Sequence, residues 1–361
     1  MILNAENLLK TLSGIKYDGD KDIIFLKMVG EIEISEKKAG FTLFFPQAFD
    51  PKTSEIINAC EQAIIKAFGE DISIKGNIKA KAKKHILNDN LPGVKNIIAV
   101  ASGKGGVGKS TVAVNLAVAL ALEGYSVGLL DADIFGPSLP KMFGVEGIEV
   151  MLRKSGEEDK IIPVEKFGVK MLSIGFFVKP EDALIWRGPM ASNALKQLIN
   201  QGDWGELDYL LIDLPPGTSD IHLTIVQELS VTGVVIVSTP QDVALADVVK
   251  GINMFAGKNI NVPVLGIVEN MAWFTPEELP NNKYYIFGKD GCKKLSEKFN
   301  IPLLGQIPIV IGLREGGDTG NPGVLTDSPV KNNFIELART VAIETNKRNM
   351  EKSPTEKVLI K

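Results

Sequence analysis

The stretch Ile97-Ile-Ala-Val-Ala-Ser-Gly-Lys-Gly-Gly-Val-Gly-Lys-Ser-Thr111 decides the fold. Its opening run, Ile97 to Ala101, is short and wholly apolar, as a parallel strand buried on both faces requires. Gly103 to Ser110 then satisfies G-x-x-x-x-G-K-[ST], and Val112, Leu116, Ala117, Leu120 and Ala121 follow at helical spacing. Four glycines, Gly103, Gly105, Gly106 and Gly108, let backbone N–H groups line a concave anion nest. The helix beginning near Lys109 points its positive dipole end at the same place. Strand, glycine loop and helix together predict a nucleoside triphosphate site spanning Gly103 to Thr111, with Val107 inside the loop. Lys109 is expected at the β- and γ-phosphates, and the Ser110 hydroxyl on Mg²⁺.

Outward from this stretch, strands and helices alternate, which predicts an α/β fold with a doubly wound, mostly parallel sheet. Ser126 to Leu130 reads as a strand that delivers Asp131 and Asp133 to its carboxyl end. Val169 to Phe176 is a further strand. Asp208 to Asp213 is an apolar strand ending in an acid, followed by Leu214-Pro-Pro-Gly217. Gly233 to Thr239, Val262 to Glu269 and Leu303 to Pro308 complete the strands, and Pro329 to Lys347 reads as a closing helix. His222 falls at the start of the helix after Gly217, where no catalytic part is assigned to it.

Ahead of the glycine loop, residues 1–78 predict a small α/β domain. Asn4 to Leu12 reads as a helix, Phe25 to Ile34 and Phe41 to Phe45 as strands joined by a charged turn, and Ile72 to Ile78 as a third strand. Thr53 to Phe68 has the spacing of an amphipathic helix, with Ile56, Cys60, Ile64 and Phe68 near one face, so Cys60 is expected in the core. Residues 79–96, with four lysines between Lys79 and Lys84, His85, and then Pro92-Gly93, predict a solvated linker. The large domain is then 97–348, and 349–361, charged and broken by Pro354, is expected to be a frayed tail.

Composition sets outer limits. The 361 residues are 45% hydrophobic and 23% charged, enough for one large and one small core. A formal net charge of −4 gives no basis for general nucleic-acid binding. Two cysteines are too few for a disulfide scaffold and fit a reducing, cytoplasmic setting. No apolar run reaches the ~18 residues needed to span a bilayer.

Lys104, directly after the first glycine, makes the loop Lys-Gly-Gly-x-Gly-Lys-Ser. This resembles the deviant P-loop of the ATPases that include MinD, ParA, the nitrogenase iron protein and the Mrp/ApbC-type iron–sulfur carriers. Trp186-Arg-Gly-Pro-Met190 and Pro240-Gln-Asp-Val-Ala-Leu-Ala-Asp247 are similar to segments of the Mrp/ApbC group. The small domain resembles one related to iron–sulfur assembly factors, although Pro46-Gln-Ala-Phe-Asp-Pro51 stands where that family often carries Pro-x-Cys-Pro.

The resemblance implies a homodimer with ATP at its interface and Lys104 reaching the partner's nucleotide. It implies that Asp133 positions the attacking water and that Asp131 and Asp213 support Mg²⁺ through water. Gly217 would sense the γ-phosphate through its backbone, Asn270 would read the adenine edge, and Pro308 would flank the base. Lys104, Lys109 and Asp133 are therefore the expected catalytic residues. The implied function is ATP hydrolysis in iron–sulfur cluster assembly or transfer to apo-proteins, with a [4Fe–4S] cluster held by one Cys-x-x-Cys per subunit.

That last feature is missing: Asn270 to Gly288 contains no cysteine, and only Cys292 is near. Cys292 follows Gly291 at an expected helix start, where the dipole would favour a thiolate, and Glu277 or Glu278 could complete a weaker site. Two other functions fit the same loop: a positioning ATPase like MinD or ParA, or a nucleotide-gated adaptor with little turnover. The first would need a basic or amphipathic docking element, and the tail offers only Val358-Leu-Ile360.

Overall fold

A computed structural model describes residues 3–35, 37–45, 50–82, 91–155, 158–177, 188–276, 278–279 and 281–358. The chain divides into two compact units, Met1–His85 and Ile86–Lys361.

In the large unit the labelled strands are β1 (Val94–Ala101), β2 (Val127–Asp131), β3 (Val164–Lys166), β4 (Val169–Ser173), β5 (Leu207–Asp213), β6 (Gly233–Ser238), β7 (Val264–Phe274) and β8 (Leu303–Ile309). They form one sheet in the order β3-β4-β2-β5-β1-β6-β7-β8. All neighbours run parallel except β3, which is an antiparallel edge. The glycine-loop strand β1 is thus central, between β5 and β6, where the chain's order turns from one side of the sheet to the other.

Strand periodicity builds two cores from one sheet. Ile97, Ala99 and Ala101 of β1 join Leu210 and Ile212 of β5 and Val234 and Ile236 of β6 on one face. The alternate residues Ile98, Val100, Tyr209, Leu211, Val235 and Val237 form the other. Because both faces are covered, the inner strands read as apolar runs, Ile97–Ala101 in β1, Leu210–Ile212 in β5 and Val234–Val237 in β6. Helix α1 (Lys109–Leu122) and the closing helix (Pro329–Glu351) cover the second face through Val112, Leu116, Phe334, Leu337 and Val341. Helices α2 (Gly188–Gln201), α3 (Asp220–Glu228), α4 (Asp242–Ala256) and α5 (Gly291–Phe299) cover the first. Helix α1 is buried almost all round, from Val112 to Leu120, so its sequence lacks the polar face of a surface helix.

In the small unit, Asn4 caps the helix Ala5–Leu12 by accepting from the Asn7 amide at 2.8 Å. The helix Thr53–Phe68 falls where its periodicity places it and buries Ile56, Cys60 and Ile64. Two strands differ from expectation. The first begins at Val29, not Phe25, because Lys27 adopts φ 53° and leaves Phe25 69% exposed. The third is Ile78–Ala82, not Ile72–Ile78. Gly76, at φ 75°, turns the chain, and Ile78 then pairs with Phe41 and Ala82 with Phe45 in parallel register. Lysines read as part of a tether are therefore strand residues, and Lys81 pairs with Glu31 at 2.7 Å.

The segment after the closing helix also differs from a frayed tail. It folds back onto the large unit: Val358 is buried, and its amide donates to the Val226 carbonyl of α3 at 2.9 Å. Among the described residues no helix is long and apolar enough to cross a membrane. His85, Pro46 to Phe49, Trp186 and Arg187, Glu277, and Leu359 to Lys361 lie outside the described residues.

Candidate functional site

Parallel register brings the acids together. Asp131 ends β2 and Asp213 ends β5, and the two are Cα partners at the same level of the sheet. Asp213 is also level with Val100 of β1, three residues before Gly103 opens the glycine loop. Two neighbouring carboxylates therefore stand at the carboxyl edge beside the start of α1.

Lys109, the first residue of α1, closes the cluster. Its ammonium lies 2.6 Å from Asp213 Oδ1 and 3.3 Å from Ser110 Oγ, with Lys109 and Asp213 both buried. The second oxygen of that carboxylate, Asp213 Oδ2, is buried with no hydrogen-bond partner among the described residues. A buried carboxylate oxygen without a donor is costly, and it fits a place for a cation's water.

Asp131 is fully buried. Its Oδ2 accepts from Ser173 Oγ at 2.9 Å and its Oδ1 from the Asp133 amide at 3.2 Å. Burial and the Asp213 charge push its carboxyl up to about 7. Asp133 is half-buried, and burial raises it above the ordinary carboxylate value against the pull of the Lys109 charge. Ser173 carries no motif; the strand expected over Val169 to Phe176 ends at it, Ile174–Phe176 forming a 3-10 turn, and this makes Ser173 the Cα partner of Asp131.

The glycine loop is shaped by its neighbours. Gly108 takes φ 78° as it caps α1, and a Cβ there would lie 2.3 Å from Asn270 Nδ2. A Cβ on Gly103 would lie 2.5 Å from the Asp247 backbone of α4. Around Gly106 a Cβ would meet nothing within 4 Å, and at Gly105 only Pro216 near 4 Å. The loop is thus packed at both ends and open in its middle, as a cradle for phosphate oxygens requires. Thr111 follows half-buried, its carbonyl accepting from Asn115 Nδ2 at 2.9 Å.

Two residues expected to contact the nucleotide also bond within the protein. The Asn270 side chain, expected at the adenine edge, is buried, and its Nδ2 donates to the Val107 carbonyl at 2.8 Å, which braces the loop. The Gly217 amide donates to the Ser102 carbonyl at 3.0 Å, so sensing a phosphate would require that bond to exchange. Pro308 is buried near the carboxyl end of β8. Lys104 is half-exposed and makes no ion pair among the described residues.

Cys292 is no thiolate. It is fully buried at the start of α5, and burial together with the Glu269 charge pushes its thiol far above the usual range. Glu269, a residue without a sequence signal of its own, accepts from the Cys292 amide and from Gln306 Nε2, both at 2.7 Å. This carboxylate satisfies the helix N-terminus and cancels the dipole's effect on the sulfur. Cys60 is likewise buried, its thiol pushed up to about 12 by burial. Among the described residues no group of three or more His, Cys, Asp or Glu is placed to hold a metal ion. His222 caps α3, its Nδ1 accepting from the Ser219 amide at 3.1 Å, and burial lowers its pKa to about 4.

The family model described as NUBPL iron-transfer P-loop NTPase matches residues 93–342. An iron–sulfur cluster carrier protein of Synechocystis is 46% identical over 308 residues, 85% of this chain and 87% of that one. A carrier protein of Deinococcus radiodurans is 40% identical over 351 residues, 96% of this chain and 97% of that one. The iron–sulfur cluster transfer protein NUBPL of Dictyostelium discoideum is 49% identical over 253 residues, 70% of this chain and 77% of that one. Among solved structures, a nucleotide-binding protein of Archaeoglobus fulgidus in complex with ADP is 40% identical with a TM-score of 0.57, covering 67% of this chain and 92% of that one.

Proposed function

The chain belongs to the NUBPL-type iron-transfer P-loop NTPases, and from that membership we propose that it is a homodimeric, Mg²⁺-dependent ATPase acting in iron–sulfur cluster assembly or transfer to apo-proteins. The observation that carries the reading is the buried cluster of Lys109, Asp213 and Asp131 beneath an open glycine cradle. The ADP complex of the Archaeoglobus relative supports nucleotide binding at the corresponding loop.

Ser110 and the orphan oxygen of Asp213 fit a hydrated Mg²⁺, with Asp131 behind them. When bound, Mg²⁺ supplies charge neutralisation across the β- and γ-phosphates. Lys109, held on Asp213 without nucleotide, is the cation that would meet those oxygens. Backbone N–H groups of Gly105 to Gly108 would hold the phosphates in place. Asp133, reached by the Lys109 charge and half-open to solvent, would orient the attacking water by accepting its hydrogen bond. Water adds to the γ-phosphorus as its bond to the bridging oxygen breaks, so the protein's contribution is positioning and electrostatics. Lys104, half-exposed and without an ion pair among the described residues, is available to a second subunit's nucleotide.

A resident cluster of the usual kind does not fit. The chain lacks the Cys-x-x-Cys, and Cys292 is buried and protonated. The function that remains is ATP-dependent work on an assembly partner or apo-protein. Two buried, unbridged cysteines support a cytoplasmic setting.

Phosphate release tests the enzyme. Wild type should turn over ATP, while Lys104→Ala and Asp133→Asn should both lose activity and Asp133→Asn should still bind ATP. Equal turnover in all three would reject the assigned roles. Sedimentation with and without ATP reads the dimer. Anaerobic reconstitution with iron and sulfide should leave both wild type and Cys292→Ser colourless; a brown wild type would show that the cluster is carried after all.

A further inference from the structure

Arg348, near the end of the closing helix, is a guanidinium only 8% exposed. Its Nη atoms donate to Asn349 Oδ1 at 3.1 Å, the Ser353 carbonyl at 2.8 Å and Thr355 Oγ1 at 2.7 Å. All three acceptors are neutral, and Nε is buried without an acceptor among the described residues. Among the described residues no acid pairs with it, and burial pulls its pKa below the ordinary arginine value. A buried charge without a counter-charge is costly unless something pairs with it.

Arg348 lines a cleft of about 1040 Å³ between the carboxyl end of α4, the turn leading into β7, and the returning segment 352–358. Its described walls carry three cations, Arg348, Lys352 and Lys357, and four asparagines, among them Asn253, Asn259 and Asn261, against one carboxylate, Glu356. That balance is opposite to the chain's net charge of −4. The cleft lies where β7 begins, whereas the glycine loop lies where β1 ends, so the two sites are at opposite edges of a parallel sheet.

We propose that this cleft is an oxyanion site, separate from the nucleotide loop, that takes a small ligand through a carboxylate or phosphate group held against Arg348. A guanidinium suits both groups through its planar N–H donors, and because Nη2 already gives its two hydrogens to the neutral Ser353 carbonyl and Thr355 hydroxyl, paired ligand oxygens would take the place of one of those acceptors. The asparagine amides add neutral donors around it, and Lys352, exposed at the mouth, adds a second positive charge. The segment that roofs the cleft ends on the Val226 carbonyl of α3, the helix that follows the Gly217 loop.

The test is calorimetric titration of the full chain, first saturated with a non-hydrolysable Mg-ATP analogue so that the β- and γ-phosphate positions of the glycine loop are filled. Inorganic phosphate and succinate are titrated separately at constant ionic strength. At least one should bind saturably at one site per chain. Phosphate alone would assign a phosphorylated ligand, and succinate alone a carboxylate. Arg348→Gln should weaken that binding by about tenfold or more, and Lys352→Glu by about threefold to fivefold. No saturable binding of either anion, or unchanged affinity in both variants, would overturn the proposal. Should Arg348→Gln fail to fold by circular dichroism, Lys352→Glu decides, and an unchanged affinity there overturns it.

Discussion

Replacing Gly108 by alanine should damage the site in a way that a second substitution, at Asn270, hardly worsens. The residue caps α1 at φ 78°, a conformation that costs an L-residue about 1–2 kcal/mol. The new Cβ would lie 2.3 Å from Asn270 Nδ2, so the amide must swing away from the Val107 carbonyl it holds at 2.8 Å. Losing that bond and leaving the carbonyl without its donor adds roughly 1–3 kcal/mol. The single variant should therefore lose about 2–5 kcal/mol. Asn270→Ala alone should lose about 1–3 kcal/mol, since it removes the same bond without the clash. The double variant loses the bond only once, so its cost should fall short of the summed singles by about 1–3 kcal/mol. Urea unfolding followed by tryptophan emission reads this directly, because Trp186, Trp204 and Trp273 all belong to the large unit. If the two costs add to within about 0.5 kcal/mol, Asn270 does not brace the loop, and the reasoning fails.

Other outcomes follow from the buried charges. Asp213→Asn leaves Lys109 buried without its counter-charge, so the nucleotide-free protein should lose about 3–5 kcal/mol by urea unfolding, with ATP restoring part of the loss. Asp131 must ionise to support Mg²⁺, and its carboxyl is raised to about 7. Mg-ADP affinity by calorimetry should therefore tighten as pH rises through 7, and the trend should flatten in Asp131→Asn. The same raised value stabilises the nucleotide-free fold at low pH, and that contribution is lost as pH climbs from about 4 to about 7. His222 works in the opposite sense: its lowered pKa contributes stability above the free-histidine value, which is lost as pH falls toward 4. Asp131→Asn should consequently steepen the loss of stability on acidification, and His222→Gln should reduce it, both read by unfolding at pH 4.5 and 6.5.

Much of this was legible in the order of residues. The run Ile97 to Thr111 carries strand, loop and helix within fifteen positions, each set by local chemistry: apolar continuity, glycine freedom, helical spacing. The same holds for Asp131 and Asp213, each the acid that ends an apolar strand, and for the helix Thr53–Phe68. What was not legible depends on partners distant in the chain. Ile72 to Ile78 looks as much a strand as Ile78 to Ala82 does, until parallel pairing with Phe41 to Phe45 selects the second. Nothing near Cys292 foretells that Glu269 will neutralise its helix end, and nothing near Asn270 foretells that its amide will turn toward Val107.

The sequence alone thus determined the doubly wound sheet and the phosphate loop, because those rest on periodicities and steric freedoms that a few consecutive residues carry. Only the tertiary structure decided that Asp131 and Asp213 stand level beside Lys109, that Cys292 is inert, and that the chain after the closing helix returns to roof a cleft over Arg348. Charge pairing and burial are properties of neighbours in space, and neighbours in space are settled when the strands choose their register.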